Sequence, residues 1–236
     1  MNDTEYLKKY LSEDKLEEGL EKLKQNIPVQ YIIGDVNFYG YQIKVNENVL
    51  IPRFETELLV EKIINYSKKS PKIIDLGTGS GAIAIALKKQ LNCEVDAIDI
   101  SEKALSLAKE NAKLNNVNIN FYKSDMLENV KGKYDIIVSN PPYIAYNEKI
   151  DEKVFNNEPH LALFAKEEGL YFYKKILEKA RKHLNNNGFI AFEIGCTQGL
   201  KIKEIAQKYF KKSKIIIEKD YPGKDRYIFI FPENID

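Results

Sequence analysis

Ile73-Ile74-Asp75-Leu76-Gly77-Thr78-Gly79-Ser80-Gly81 decides how this chain folds. Its first four residues are a short, mainly apolar run, the composition of a strand buried on both faces. The next five place glycine at every second position, and the region 80–90 that follows is rich in Ala, Ile and Leu. Strand, tight Gly-rich turn and buried helix form the opening unit of a doubly wound sheet. Glycine in that turn lets the backbone come close to a ligand.

The same alternation continues toward the C-terminus. Strands are expected over 95–100, 119–122, 134–138 and 189–194, with two closing strands near 215–217 and 227–231. Helices are expected over 101–115, 170–184 and 198–210, with Ser101 available to cap the first of them. This pattern predicts an α/β protein with a Rossmann-like, mostly parallel seven-stranded sheet covered on both faces. The stretch 144–168 reads as a long irregular segment, suited to a lid, a docking surface or a solvated loop. Toward the N-terminus, residues 1–27 read as a short helical segment. Leu16, Leu20, Leu23 and Ile27 fall on one helix face, Ser12 stands where a cap is expected, and Pro28 ends the run. Residues 28–70 then hold a hairpin turning at Tyr39-Gly40 and a linking helix over 55–66, with Glu55 and Glu57 in its first turn. Residues 71–236 form the sheet domain.

Composition narrows the class of partner. The chain has 236 residues, 44% hydrophobic and 30% charged, which fits a soluble protein with a sizeable core. Its 36 Lys and Arg are offset by 35 Asp and Glu, so it lacks the basic surface that stable nucleic-acid binding uses. The N-terminus is polar, and no run is long enough for a bilayer. A cytoplasmic monomer is the expectation. Cys93 and Cys196 read as two buried thiols, and His160 and His183 have no neighbours at metal-ligand spacing.

The turn's chemistry discriminates between ligands. Gly-x-Gly-x-Gly preceded by an acid departs from the Gly-x-Gly-x-x-Gly dinucleotide fingerprint. A carboxylate at position 75 would repel a pyrophosphate, whereas S-adenosyl-L-methionine (SAM) carries an ammonium and a sulfonium. The turn residues Gly77, Thr78, Gly79, Ser80 and Gly81, together with Asp75, are therefore candidates for holding SAM, the glycines serving equally as plain turn formers. Asp99 ends the second strand, where a carboxylate accepts from ribose hydroxyls. Asp125 follows the third strand, placed to accept from an adenine amino group, with Met126 packing on the ring. Asn140-Pro141-Pro142-Tyr143 ends the fourth. By composition it is an ordinary strand-ending turn. At the end of a central strand, facing the Gly-rich turn, it acquires a chemical role. The Asn140 side-chain oxygen and a proline carbonyl accept the two N–H bonds of a planar NH2 group, and the Tyr143 ring lies against its face. That arrangement suits methyl transfer to a weakly nucleophilic nitrogen.

These motifs do not stand alone. Pro28-Val29-Gln30-Tyr31-Ile32-Ile33-Gly34, Val49-Leu50-Ile51-Pro52-Arg53-Phe54-Glu55-Thr56-Glu57, the turn 75–81, residues 140–143, Glu158-Pro159, Glu193-Ile194-Gly195 and Asp220-Tyr221-Pro222-Gly223-Lys224-Asp225-Arg226 occur in that order. From Pro28 to the end the chain closely resembles the peptide-chain release factor glutamine N5-methyltransferases, the PrmC/HemK family. The resemblance implies a SAM-dependent methyltransferase fold and methylation of the side-chain amide in the Gly-Gly-Gln loop of bacterial release factors, its protein substrate and partner. It places SAM against Gly77 to Gly81, Asp99 and Met126, and the glutamine amide against Asn140 to Tyr143. Two departures stand out: Phe54 replaces the family's usual proline, and only 27 residues precede Pro28, where the family carries several helices. The rival readings are an adenine-N6 methyltransferase for DNA or RNA, a methyltransferase of another protein glutamine, and a SAM-binding regulator without turnover.

Overall fold

The computed structural model describes residues 2–233. Helix α1 (Asp3–Tyr10) starts with a reciprocal cap, in which Glu5 N donates to Asn2 Oδ1 and Asn2 N to Glu5 Oε2. Helix α2 (Glu13–Lys24) follows, but Ser12 makes no side-chain capping bond there. The stripe of Leu16, Leu20, Leu23 and Ile27 is only half-buried; the helices instead close around Leu7, which is fully enclosed. The expectation that Pro28 merely ends the helical segment is corrected. Helix α2 stops at Lys24, and Pro28 initiates a further short helix, α3 (Val29–Ile33), closed by Gly34 at a φ of +91°. Proline's preset φ and missing N–H suit a helix start as well as a stop.

Strands β1 (Asp35–Phe38) and β2 (Tyr41–Lys44) form the predicted hairpin. Tyr39 and Gly40 both take positive φ, as the tight turn matching strand twist demands. Helix α4 (Phe54–Tyr66) leads into β3 (Lys72–Leu76), α5 (Ala82–Leu91), β4 (Glu94–Asp99), α6 (Glu102–Leu114), β5 (Asn120–Lys123) and β6 (Tyr134–Ser139). Ser101 caps α6, its Oγ accepting from Ala104 N. The 144–168 stretch is more ordered than its sequence suggests. It contains β7 (Ile144–Ala145), α7 (Glu152–Asn157), a 3-10 turn (His160–Ala162) and β8 (Phe164–Ala165), with β7 and β8 paired in parallel. Elements of two to six residues are too short for a hydrophobic period to register. Then come α8 (Tyr171–His183), β9 (Leu184–Glu193), α9 (Gly199–Tyr209), β10 (Ser213–Lys219) and β11 (Asp225–Pro232).

The seven-stranded sheet runs β10-β11-β9-β6-β3-β4-β5, with only β11 reversed against its neighbours. Alternating side chains send Ile73, Ile136 and Phe229 to a core shared with α4, α5 and the hairpin. Their neighbours Ile74, Ile137 and Ile230 enter a second core under α8 and α9. From β3 the chain winds outward through β4 and β5, then returns to the other side of β3 as β6. This reversal opens a crevice at the carboxyl ends of β3 and β6. Cys93 is buried, but Cys196 is exposed, which corrects the expectation of two buried thiols. Cys196 lies past the end of β9, in the turn before α9, where the chain has left the sheet.

Gly81 has a φ of +83°, and a Cβ there would sit 3.1 Å from the Cβ of Ala108 on α6. Gly81→Ala should therefore destabilise the fold by about 1–3 kcal/mol through backbone strain and crowding, read from urea denaturation midpoints.

Candidate active site

Leu76 and Ser139 are directly paired, so the two chains leave the sheet side by side as Gly77 and Asn140. Ser139 Oγ reinforces the junction by donating to Leu76 O at 2.7 Å. Gly77 N and Thr78 N both donate to Ile98 O, which pulls the turn over the end of β4. A cavity of about 380 Å³ opens above these strand ends. Among the described residues its charged lining consists of Glu47, Asp99 and Asp125, with no Lys, Arg or His. Such a surface favours a cation and opposes a pyrophosphate.

Of the residues singled out from sequence, Gly77, Thr78, Gly79, Ser80, Asp99, Asp125, Met126, Asn140 and Pro142 line this cavity. Asp75, Gly81, Pro141 and Tyr143 lie around it without lining it. Asp75 is fully buried beneath the turn; its Oδ2 accepts from Thr78 Oγ1 at 2.6 Å and its Oδ1 has no hydrogen-bond partner among the described residues. Burial pushes its carboxyl up to about 7, and the nearby Asp99 carboxylate adds to the rise. Asp99 ties two elements together, Oδ2 accepting from Gly79 N at 2.9 Å and Oδ1 from Ser101 N at 2.8 Å. Each oxygen keeps a further lone pair for a ligand hydroxyl. Asp125 is ion-paired with Lys175 on α8 at 2.6 Å. Met126, at a positive φ, is nearly enclosed.

Behind the tetrapeptide stand residues whose roles the sequence did not reveal. Asn140 Nδ2 donates to Thr56 Oγ1 at 3.3 Å, and Thr56 Oγ1 donates to Glu193 Oε2 at 2.7 Å. Glu193 ends β9, is 2% exposed, and its carboxyl is pushed up to about 7 by burial. Gln198 clamps the backbone beyond the tetrapeptide: its Nε2 donates to Tyr143 O at 2.9 Å and to Glu168 O at 3.2 Å, while its Oε1 accepts from Gly195 N. Arg53 is ion-paired with Glu158, whose other oxygen accepts from Ile51 N at 3.1 Å. Phe54 is exposed and stacks on the still more exposed Tyr221, ring centroids 5.9 Å apart. Glu193 was marked in the sequence as an acid closing an apolar strand and as part of the Glu193-Ile194-Gly195 motif, neither of which gave its role. Nothing local marked Gln198.

Two outcomes follow from this geometry. A Cβ at Gly169, whose φ is +82°, would lie 2.0 Å from Tyr143 O and 2.4 Å from Gln198 Nε2. Gly169→Ala should therefore lower both the melting temperature and the activity, since the clamped backbone must move. Asp75 has an ordinary value of 3.8 and a folded one near 7. The unfolded chain releases this proton first as pH rises, so the group's contribution to stability, present below about pH 4, is lost on the way to about pH 7. Glu193 acts in the same direction. Asp75→Asn still accepts from Thr78, and its melting temperature should fall less steeply over that window than that of the wild type.

Comparison with known proteins agrees with the geometry. Residues 54–221 match the family model described as "Methyltransferase small domain". The release factor glutamine methyltransferase of Lactococcus lactis subsp. lactis (strain IL1403) is 49% identical over 219 residues, covering 91% of this chain and 81% of that one. The protein of the same name from Streptococcus pneumoniae (strain ATCC BAA-255 / R6) is 45% identical, over 91% of this chain and 78% of its own. Among solved structures, a methyltransferase from Pyrococcus furiosus superposes with a TM-score of 0.65 at 24% identity, covering 83% of this chain and 90% of that one, and so shares the fold. With that identity sustained over most of both chains, on a sheet whose central crevice joins a Gly-rich turn to Asn140, this chain belongs to the release factor glutamine methyltransferase family.

Proposed function

We propose that this chain methylates the side-chain nitrogen of the glutamine in the Gly-Gly-Gln loop of bacterial peptide-chain release factors, with SAM as methyl donor. The observation that carries the reading is a cavity opening on Asn140 whose charged lining, among the described residues, is all acidic. Its lining suits SAM. Asp99 keeps lone pairs for the ribose hydroxyls, the backbone of Gly77 to Ser80 lies open for the amino-acid end, and Asp125 and Met126 flank the place for the base. Its volume falls within the range of small-molecule sites. When bound, SAM supplies an electrophilic methyl group.

The protein's own residues do the positioning. The Asn140 Oδ1 and the Pro141 carbonyl accept the two N–H bonds of the glutamine amide, and Pro142 and Tyr143 confine its plane. Two fixed acceptors direct the nitrogen and stabilise the positive charge that grows on it as the bond to carbon forms. The proton then leaves to water, so no strong base is needed beforehand. The N-terminal helical segment makes the docking side of the molecule, the segment 28–70 supplies Glu47 to Thr56 as one wall of the cavity, and the sheet domain is the methyl-transferring body. The enzyme works in the cytoplasm as a monomer.

The test is mass spectrometry of the Gly-Gly-Gln peptide after reaction of the release factor with SAM and the enzyme, beside a Gln→Ala release factor. One methyl on the glutamine, absent from the Ala control, is expected; label entering unmethylated DNA instead would overturn the assignment. Asn140→Ala should lose most activity, about 100-fold or more, while SAM affinity stays within about threefold, measured by calorimetry.

A further inference from the structure

We propose that Thr56 and Glu193 form a polarity relay that presents the oxygen of the Asn140 amide, rather than its NH2, to the substrate. The inference rests on the reading of Asn140 as the acceptor for a substrate NH2 group. A primary amide has two ends of nearly equal size and opposite hydrogen-bonding character. Turned by 180°, Asn140 would meet the substrate NH2 with an NH2 of its own, donor against donor, and hold nothing.

Two groups, from two elements, remove that ambiguity. Above about pH 7, where its raised carboxyl is ionised, Glu193 at the end of β9 can only accept. It takes the single hydroxyl proton of Thr56, from the first turn of α4, at 2.7 Å. With its proton committed, the Thr56 oxygen offers Asn140 only a lone pair. The amide end that faces it at 3.3 Å must then be the NH2, which leaves Oδ1 for the cavity that both residues line. Burial makes the chain of bonds binding: Thr56 is 4% exposed and Glu193 2%, so neither has bulk water as an alternative partner. Tyr173 OH donates to Glu193 O at 2.8 Å and Arg226 Nη1 to the adjacent Ile194 O, which fixes the backbone from which the carboxylate projects. Thr56 and Glu193 are thus positioning residues, acting on the reaction through Asn140.

Thr56→Val keeps the shape and removes the hydroxyl. It should lower kcat about 10- to 100-fold, while KM for the release factor and the SAM dissociation constant stay within about threefold. Thr56→Ser, which restores the hydroxyl, should return kcat to within about threefold of the wild type. In an Asn140→Ala background Thr56→Val should change the residual rate by less than about twofold, because the residue it acts through is gone. If Thr56→Val does not fold, Thr56→Ala enters the same cycle. Unchanged kcat, or a loss confined to SAM affinity or KM, would overturn the relay. A readout independent of substrate is the Asn140 side-chain NH2, identified in 15N spectra by its absence from Asn140→Ala. Its protons should exchange faster in Thr56→Val than in the wild type, since they keep the nearby Glu193 carboxylate but lose the Thr56 oxygen. Equal exchange rates would overturn the relay even if the substrate proved to be another, and a wild type inert on the release factor would sink only the substrate reading.

Discussion

Pairing of Leu76 with Ser139 is the constraint on which the rest of the site depends. Two parallel strands at the middle of a sheet are held by their ladder and by packing on both faces, so their ends cannot drift apart. The chain leaves one as a Gly-rich turn and the other as Asn-Pro-Pro-Tyr. Whatever the turn holds therefore lies within reach of whatever the asparagine holds. Every further contact refines this juxtaposition. Ser139 ties the strand ends, Asp99 spans the turn and the start of α6, and Gln198 braces the backbone beyond Tyr143.

Much of this was legible because the physics is local. The change of hydrophobic period around Gly77 to Gly81 announces strand, turn and helix. Tyr39-Gly40 announces a hairpin, and Ser101 announces a helix start, each through a few adjacent backbone groups. The N-terminal reading was poorer. Pro28 is chemically able either to stop or to start a helix, and its neighbours decided for a start at Val29. Cys196 looked like a strand neighbour and lies in the exposed turn beyond Glu193. Short pieces such as α7 and the β7–β8 pair carry too few residues to announce themselves.

The site was legible at strand ends and opaque in its supports. Asp99, Asp125, Met126 and Asn140 could be placed because an open α/β sheet gathers its strand ends on one edge. Thr56 and Glu193 are 137 positions apart, and their bond is a product of tertiary folding that no spacing rule contains. Asp75 illustrates the opposite case. Its proximity to the turn was readable, but Thr78 draws its carboxylate beneath the floor and out of the cavity. Two buried acids, Asp75 and Glu193, therefore sit close to the chemistry at an electrostatic cost that a protein selected for stability alone would shed.

Glu158 reaches the backbone of Ile51 and the guanidinium of Arg53 with one carboxylate. Pro159, Leu161 and Ala162, just beyond it, wall the cavity, and Thr56 lies just beyond Arg53. One carboxylate thus joins the segment around residue 158 to the one around residue 53. A substitution that displaces either segment is therefore transmitted to the other, although more than a hundred residues of chain separate them.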